Sequence, residues 1–328
     1  MSREGPGLLL RDILSGDDPQ VTASVAQIAA VAPDVLVLTA FDYDAGGAAL
    51  AALAEVLAAA GVDYPHRFAL LPNSGMATGL DMNGDGRAGG PRDGQGYGRF
   101  AGQAGLAVLA RWPIDAGGVR DFSALLWRDL PGAVLPQSNG APFPSAQAQA
   151  AQRLSSTGHW LVPVLAPGGP VELLVWSATP PVFDGPEDMN GLRARDELRL
   201  WTVLLDGGLG APPGRYFVLA GNANLDPFDG EGDRSAMAAF LTDPRLIDPH
   251  PASEGGLAAA DPGQTGPPGE DTADWGTPGN LRVSYVLPSA TWQVTGAGVW
   301  WPSPDDPDAE GIAEAGPHRI VWADLSRP

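Results

Sequence analysis

Four consecutive apolar residues, Val35-Leu36-Val37-Leu38, follow directly on Pro33-Asp34 and have no polar face. A short, β-branched run of that kind reads as a strand covered on both sides, which belongs in a layered α/β structure. The residues before it support this. Asp18 caps and Pro19 opens a helix whose Val21, Val25, Ile28, Ala29 and Ala32 recur at helical spacing. Residues 48–60 give a second helix, stopped by Gly61.

The same reading predicts strands over 67–71, 105–111, 159–165, 171–176 and 216–220, and helices over 190–205 and 234–241. Three strands close the chain, near 281–287, 292–299 and 318–325. Residues 73–102 and 131–152 read as loops, and the Pro/Gly/Asp-rich stretch 249–279 as a surface loop. Helices alternate with strands early and paired strands dominate later. That order predicts one domain over residues 1–328: an α/β fold with two mixed β-sheets flanked by helices, a four-layer α/β/β/α sandwich.

Bulk properties narrow the function. Asp and Glu number 39 against 19 Lys and Arg, a formal charge of −20. Phosphate backbones are held mainly by cationic side chains, so nucleic acid is a poor partner for such a surface. The chain has no Cys, and therefore no disulfide, thiol nucleophile or thiolate metal site. No apolar run approaches the roughly 20 residues of a membrane helix. The opening residues, with an apolar stretch only from Leu8 to Leu10, do not read as a signal peptide.

Four segments carry a family resemblance. Residues 33–44 read PDVLVLTAFDYD, residues 177–201 SATPPVFDGPEDMNGLRARDELRLW, residues 221–227 GNANLDP, and residues 282–289 RVSYVLPS with 316–325 GPHRIVWADL. In this order they resemble the endonuclease/exonuclease/phosphatase superfamily, the deoxyribonuclease-I-like fold, in a bacterial-type form. The resemblance implies a site at one rim of the sheets and phosphoester hydrolysis with a divalent metal, usually Mg²⁺. It also implies a strand ahead of the segment beginning at Ser2, so the family's first strand is expected to be absent from residues 1–328.

The residues at the family's catalytic positions do not suit that chemistry. The metal-binding Glu falls at Ala40, the His after the middle strand at Ser177, and the Asp of the Gly-Asp-x-Asn motif at Asn222. The Asp of the Arg-Val-Asp motif falls at Ser284 and the Asp before the final His at Pro317; Asn224 and His318 are retained. A hard cation needs anionic oxygens and an acid–base step needs a titratable group. The expectation is a catalytically degenerate protein that serves as a binding or structural component, with an unidentified protein partner or small ligand. The alternative is an active metal-dependent phosphoester hydrolase with substitute ligands among Asp42, Asp44, Asp226 and His318, and Mg²⁺ as its ion. Simpler roles are turn or loop bonding for Asp42, Asp44, Glu187, Asp188 and Asn224, and a rim or core position for His159. The family likeness points to an exported protein, although the first residues carry no export signal.

A separate stretch, Asp81-Met82-Asn83-Gly84-Asp85-Gly86, matches the opening of a calcium loop, with oxygens at alternate positions and Gly permitting the turn. Arg92 stands where a closing Glu is usual, and Asp93 is the nearest substitute. Ca²⁺ held by Asp81, Asn83, Asp85 and Asp93 would brace the long loop; without an ion the same residues make an Asx-rich turn.

Overall fold

The computed structural model describes residues Met1–Pro328. The expected class, α/β with helices packed on sheets, is the class observed. Helix α1 (Leu8–Ser15) was not anticipated; it buries Leu9 and Ile13, one turn apart on a single face. Helix α2 (Pro19–Val31) starts as the sequence indicates, with the Asp18 carboxylate accepting from Val21 N–H. Strand β1 (Val35–Phe41), helix α3 (Ala48–Ala59) and the short strand β2 (His66–Phe68) follow, then strand β3 (Gly105–Ala110). β3 lies between β1 and β2, antiparallel to both.

A second sheet has five strands. β4 (Arg120–Asp121) is its edge; a small hairpin, β5 (Gln137–Ser138) and β6 (Ala141–Pro142), and helix α4 (Ala146–Ala151) occupy the stretch expected to be loop. β7 (His159–Val164) and β8 (Val171–Ser177) pair antiparallel, and helix α5 (Met189–Leu205) carries the chain to β9 (Phe217–Asn222), parallel to β8. Helices α6 (Arg234–Leu241) and α7 (Glu254–Ala258) precede β10 (Ser284–Pro288), which closes the sheet beside β9. The sheet is therefore mixed, in the order β10-β9-β8-β7-β4. The last strands, β11 (Gln293–Trp300) and β12 (Ile320–Ser326), pair only with each other.

Strand alternation explains how these pieces stack. In β3 every residue is buried. Leu106, Val108 and Ala110 enter the core shared with Trp160 and Val162 of β7, Val175 of β8 and Val218 of β9. Ala107 and Leu109 enter the opposite core, with Leu50, Leu53 and Leu57 of α3 and Val21 and Ile28 of α2. On the far face of the five-stranded sheet, Leu174, Trp176 and Leu219 pack on Leu198, Trp201 and Leu204 of α5. Each core is one layer contact, and a strand with two apolar faces joins two of them.

The stretch 249–279 is only partly a surface loop. It contains α7, and its far end buries Thr272 and Ala273 completely. Arg282, itself 5% exposed, anchors the stretch through Asp248 at 2.5 Å and Glu270 at 2.8 Å. A guanidinium that deeply buried has to be paired; this segment supplies Glu270, and Asp248 stands just before it. The Pro/Gly/Asp composition reported the absence of long elements and carried no signal for the tether.

Candidate functional site

Backbone register gathers the family positions at one rim. Ser177 ends β8 and pairs with Asn222 at the end of β9, and Asn222 pairs in turn with Ser284 at the start of β10. The three side chains thus sit on adjacent strands at one level. Pro317 and His318 reach the same place through the bridge between Ala273 and His318. The β1–β3 register slips between Leu38 and Phe41, and Ala40 lies there with φ 54°. That bulge turns the Ala40 carbonyl toward the start of the chain, where the Met1 ammonium donates to it at 2.9 Å. Ala40, Ser177, Asn222, Ser284, Pro317 and His318 all line one cavity of about 1300 Å³.

The electrostatics of this rim are weak. Ser284 Oγ lies 3.5 Å from His318 Nδ1, at the limit of a hydrogen bond. His318 stands edge-on to Trp275, with ring centroids 5.3 Å apart. Burial, then the Met1 ammonium and Arg319, lowers its pKa to about 4, so the imidazole is neutral at pH 7. Asn222 and Asn224 bond each other, Asn224 N–H donating to Asn222 Oδ1 at 2.9 Å, and the Asn224 amide donates to Ala178 O at 2.7 Å. Two hydroxyls, amides and a neutral imidazole offer no anionic oxygen, and such a donor set does not fit Mg²⁺ or Mn²⁺.

The carboxylates that the sequence offers as substitutes are engaged elsewhere. Asp42 accepts from Ser2 Oγ, Arg3 N–H and Ala104 N–H at 2.6, 2.7 and 2.9 Å. Asp44 accepts from Gly46, Ala48 and Ala49 N–H and so opens α3. Asp226 accepts from Phe228, Asp229 and Arg282 N–H; burial nevertheless raises its pKa. Glu187 accepts from Gly185 N–H within its loop, and Asp188 precedes α5. Nowhere do three or more His, Asp or Glu side chains gather in a metal-holding group.

The calcium-like loop is built on its own amides. Asp81 accepts from Gly84 N–H at 2.7 Å and Gly86 N–H at 2.8 Å; Asn83 accepts from Asp85 N–H, and Asp85 from Arg87 N–H. Desolvation opposes ionisation of Asp81, but these amides prevail and hold its pKa below the ordinary value. Asp93 is buried, and its two oxygens accept from Met82 and Gly90 N–H at 2.9 and 2.7 Å. It anchors the loop from inside.

One polar cluster escaped the sequence reading. Glu197, with no exposed surface, accepts from Ser156 N–H and Oγ–H at 2.6 and 2.8 Å and from Thr179 N–H at 2.7 Å. Asp196 beside it accepts from Trp127 Nε1 and Val134 N–H and pairs with Arg195 and Arg199. His159 lies between Ser155 Oγ and the Glu197 carbonyl, and burial lowers its pKa to about 3. Burial likewise raises the Glu197 pKa. The only prior signal was the charged run Arg195-Asp196-Glu197 in the middle of a predicted helix.

Comparison with known proteins gives the family. The Endonuclease/Exonuclease/phosphatase family model matches residues 12–322, so the chain belongs to that family. A structure of an endonuclease/exonuclease/phosphatase from Beutenbergia cavernae DSM 12333 superposes with a TM-score of 0.55 at 21% identity, over 95% of this chain and 66% of that one. The chain thus spans just under two thirds of that relative's length. A family protein from Leptotrichia buccalis C-1013-b superposes with a TM-score of 0.52 at 14% identity, over 94% of this chain and 92% of that one. At these identities the likeness concerns the fold. No curated protein matches the chain.

Proposed function

We propose that this chain is a non-catalytic member of its family, a binding or structural protein that keeps the fold without the phosphoester chemistry. One observation carries the reading: the six rim positions, Ala40, Ser177, Asn222, Ser284, Pro317 and His318, include no carboxylate. Divalent-metal catalysis draws charge off a phosphoryl group through an ion fixed by anionic oxygens. Asp42, Asp44 and Asp226, the candidate substitutes, do not line the rim cavity. The charge of −20 further disfavours a nucleic-acid partner, and no helix is long and apolar enough to cross a membrane.

The test is hydrolysis of a generic phosphodiester and a phosphomonoester with saturating Mg²⁺ or Mn²⁺. The expected result is no turnover above the metal-only blank. Turnover abolished by His318→Ala would instead establish the active hydrolase. A second element of the reading is a structural Ca²⁺ at Asp81, Asn83 and Asp85, which supply hard oxygens at alternate positions while Gly84 and Gly86 take the left-handed turns. Asp93, bonded to two amides, would remain the loop's internal anchor. Calorimetric titration with CaCl₂ is expected to give a binding heat that Asp81→Ala removes. The absence of heat for the parent protein would refute this element without touching the first.

A further inference from the structure

Apolar side chains stand exposed on the loops around the rim. Phe183 is 75% exposed, Leu257 60% and Phe228 46%, and the two Phe are the only exposed ones in the chain. The loops that carry them are continuous with one another. Gly232 lies so close to Pro181 that a Cβ there would stand 2.9 Å from the proline ring, which joins the loop of Phe183 to the loop of Phe228. Asp229 accepts from Thr265 and Gly266 N–H, and Phe228 lies beside Gly266 as Leu257 lies beside Gly269. Gly255 N–H donates to Trp301 O at 2.9 Å and brings in the loop that leads to His318.

Charge selects what can cover these residues. The four loops are residues 178–188, between β8 and α5; 223–233, between β9 and α6; 248–283, ahead of β10; and 301–319, between β11 and β12. Together these 77 residues hold 18 Asp and Glu and two Arg, a net −16, whereas the other 251 residues hold 21 acids and 17 Arg, a net −4. Charge that served solubility alone would be spread over the whole surface. The two Arg, Arg282 and Arg319, are each 5% exposed and pair only with Asp248, Glu270 and Asp274, which leaves 15 of the 18 acids without an Arg partner. The crowding acts on the carboxylates themselves. Burial, then the charges of Asp184 and Asp233, raises the pKa of Asp188; burial, then Asp226, Asp229 and Asp261, pushes Asp271 up to about 7.

An aromatic face attracts a guanidinium or ammonium, and carboxylates around it add charge-assisted hydrogen bonds. A small cation needs only the carboxylates, and a polyanion is repelled. Exposed Phe among unpaired acids therefore fits a polypeptide with Arg or Lys on either side of an apolar side chain. We propose that this face docks a cationic segment of a partner protein, with Phe183 and Phe228 as its apolar anchors and the surrounding carboxylates matching its charge. The proposal rests on the binding reading above and not on the absence of turnover, so the hydrolysis assay and the docking assay fail separately.

Titration of a labelled peptide tests it at about 0.15 M salt, where charges are screened beyond about 8 Å. The probe is three repeats of Arg-Leu-Arg-Gly, and its control carries Glu in place of Arg. Saturable binding of the Arg peptide and none of the Glu peptide is expected. Neutralising four exposed acids of one loop, by Asp305→Asn, Asp306→Asn, Asp308→Asn and Glu310→Gln together, is expected to weaken binding about tenfold. Neutralising four exposed acids outside the loops, by Glu55→Gln, Asp63→Asn, Asp115→Asn and Asp324→Asn together, removes the same charge and is expected to change binding by about twofold or less. Phe183→Ser alters no charge and is expected to weaken binding about threefold or more. An equal loss in the two charge variants overturns the proposal, because that is the response to net charge alone. An unchanged affinity in Phe183→Ser overturns it too, as does the absence of binding to the Arg peptide. Association with phosphatidylcholine vesicles that depends on Phe183, in place of peptide binding, would overturn it in favour of a membrane surface.

Discussion

Two polar regions of this molecule lie at the ends of the same strands and differ in what holds them. At the rim, Ser177, Asn222, Ser284 and His318 are brought together by sheet register but share few bonds, the one from Ser284 to the His318 ring being 3.5 Å long. Beneath α5, Glu197, Asp196 and His159 are almost wholly buried and each makes at least two hydrogen bonds. A buried ionisable group without partners is costly. Burial has therefore been tolerated where charge ties loops to a helix, while the rim has side chains that need little support.

The comparison can be broken at its strongest point. Glu197→Ala removes the acceptor of three donors, Ser156 N–H and Oγ–H in the interior and the half-buried Thr179 N–H, at about 1–3 kcal/mol for each left unpaired. Urea denaturation is expected to show a loss of roughly 3 kcal/mol or more, or no folded protein at all. A loss under about 1 kcal/mol would mean that the network does not hold the loops.

A smaller effect sharpens the contrast through pH. The folded-state pKa of His318 is lowered to about 4 from 6.5. Between those values the unfolded chain takes up the proton and the native chain does not, so this group's contribution to stability falls as pH falls through the window. His318→Asn removes that linkage. Comparing the two proteins at pH 7 and pH 4.5, the variant is expected to lose less, by about 1 kcal/mol after allowance for partial exposure. Parallel pH profiles would show that His318 is not held neutral.

The smallest effect is expected at the rim hydroxyl. Ser284→Ala should change stability by no more than about 0.5 kcal/mol, because the bond it removes is marginal. A loss above about 1.5 kcal/mol would reveal a rim as tightly bound as the interior.

Much of this architecture was legible beforehand. The Asp18–Pro19 helix start, the apolar run of β1, the strand pair β7–β8 and the closing strands β11 and β12 follow from capping, periodicity and turn residues within a few positions. Helix α1 was hidden because eight residues carry too few turns for a periodic signal. Helix α4 was hidden by its Ala/Gln composition inside a Pro-rich stretch. The buried network was illegible for a different reason. Asp196 and Glu197 look like any exposed helical acids until β7 and the loop near Ser156 are packed against them.

By itself the sequence determined which groups are available at the family positions: Ala40, Ser177, Asn222, Ser284 and Pro317 carry no acid wherever they lie. It also determined most element types, because caps, turns and apolar periods act within a few residues. Only the tertiary structure decided that these positions meet at one rim, that Glu197 is buried and hydrogen-bonded and Arg282 buried and paired, and that β1 and β12 line the same cavity. Those outcomes depend on register and burial between segments up to hundreds of residues apart, and burial is what turns a side chain's ordinary charge into a constraint on its surroundings.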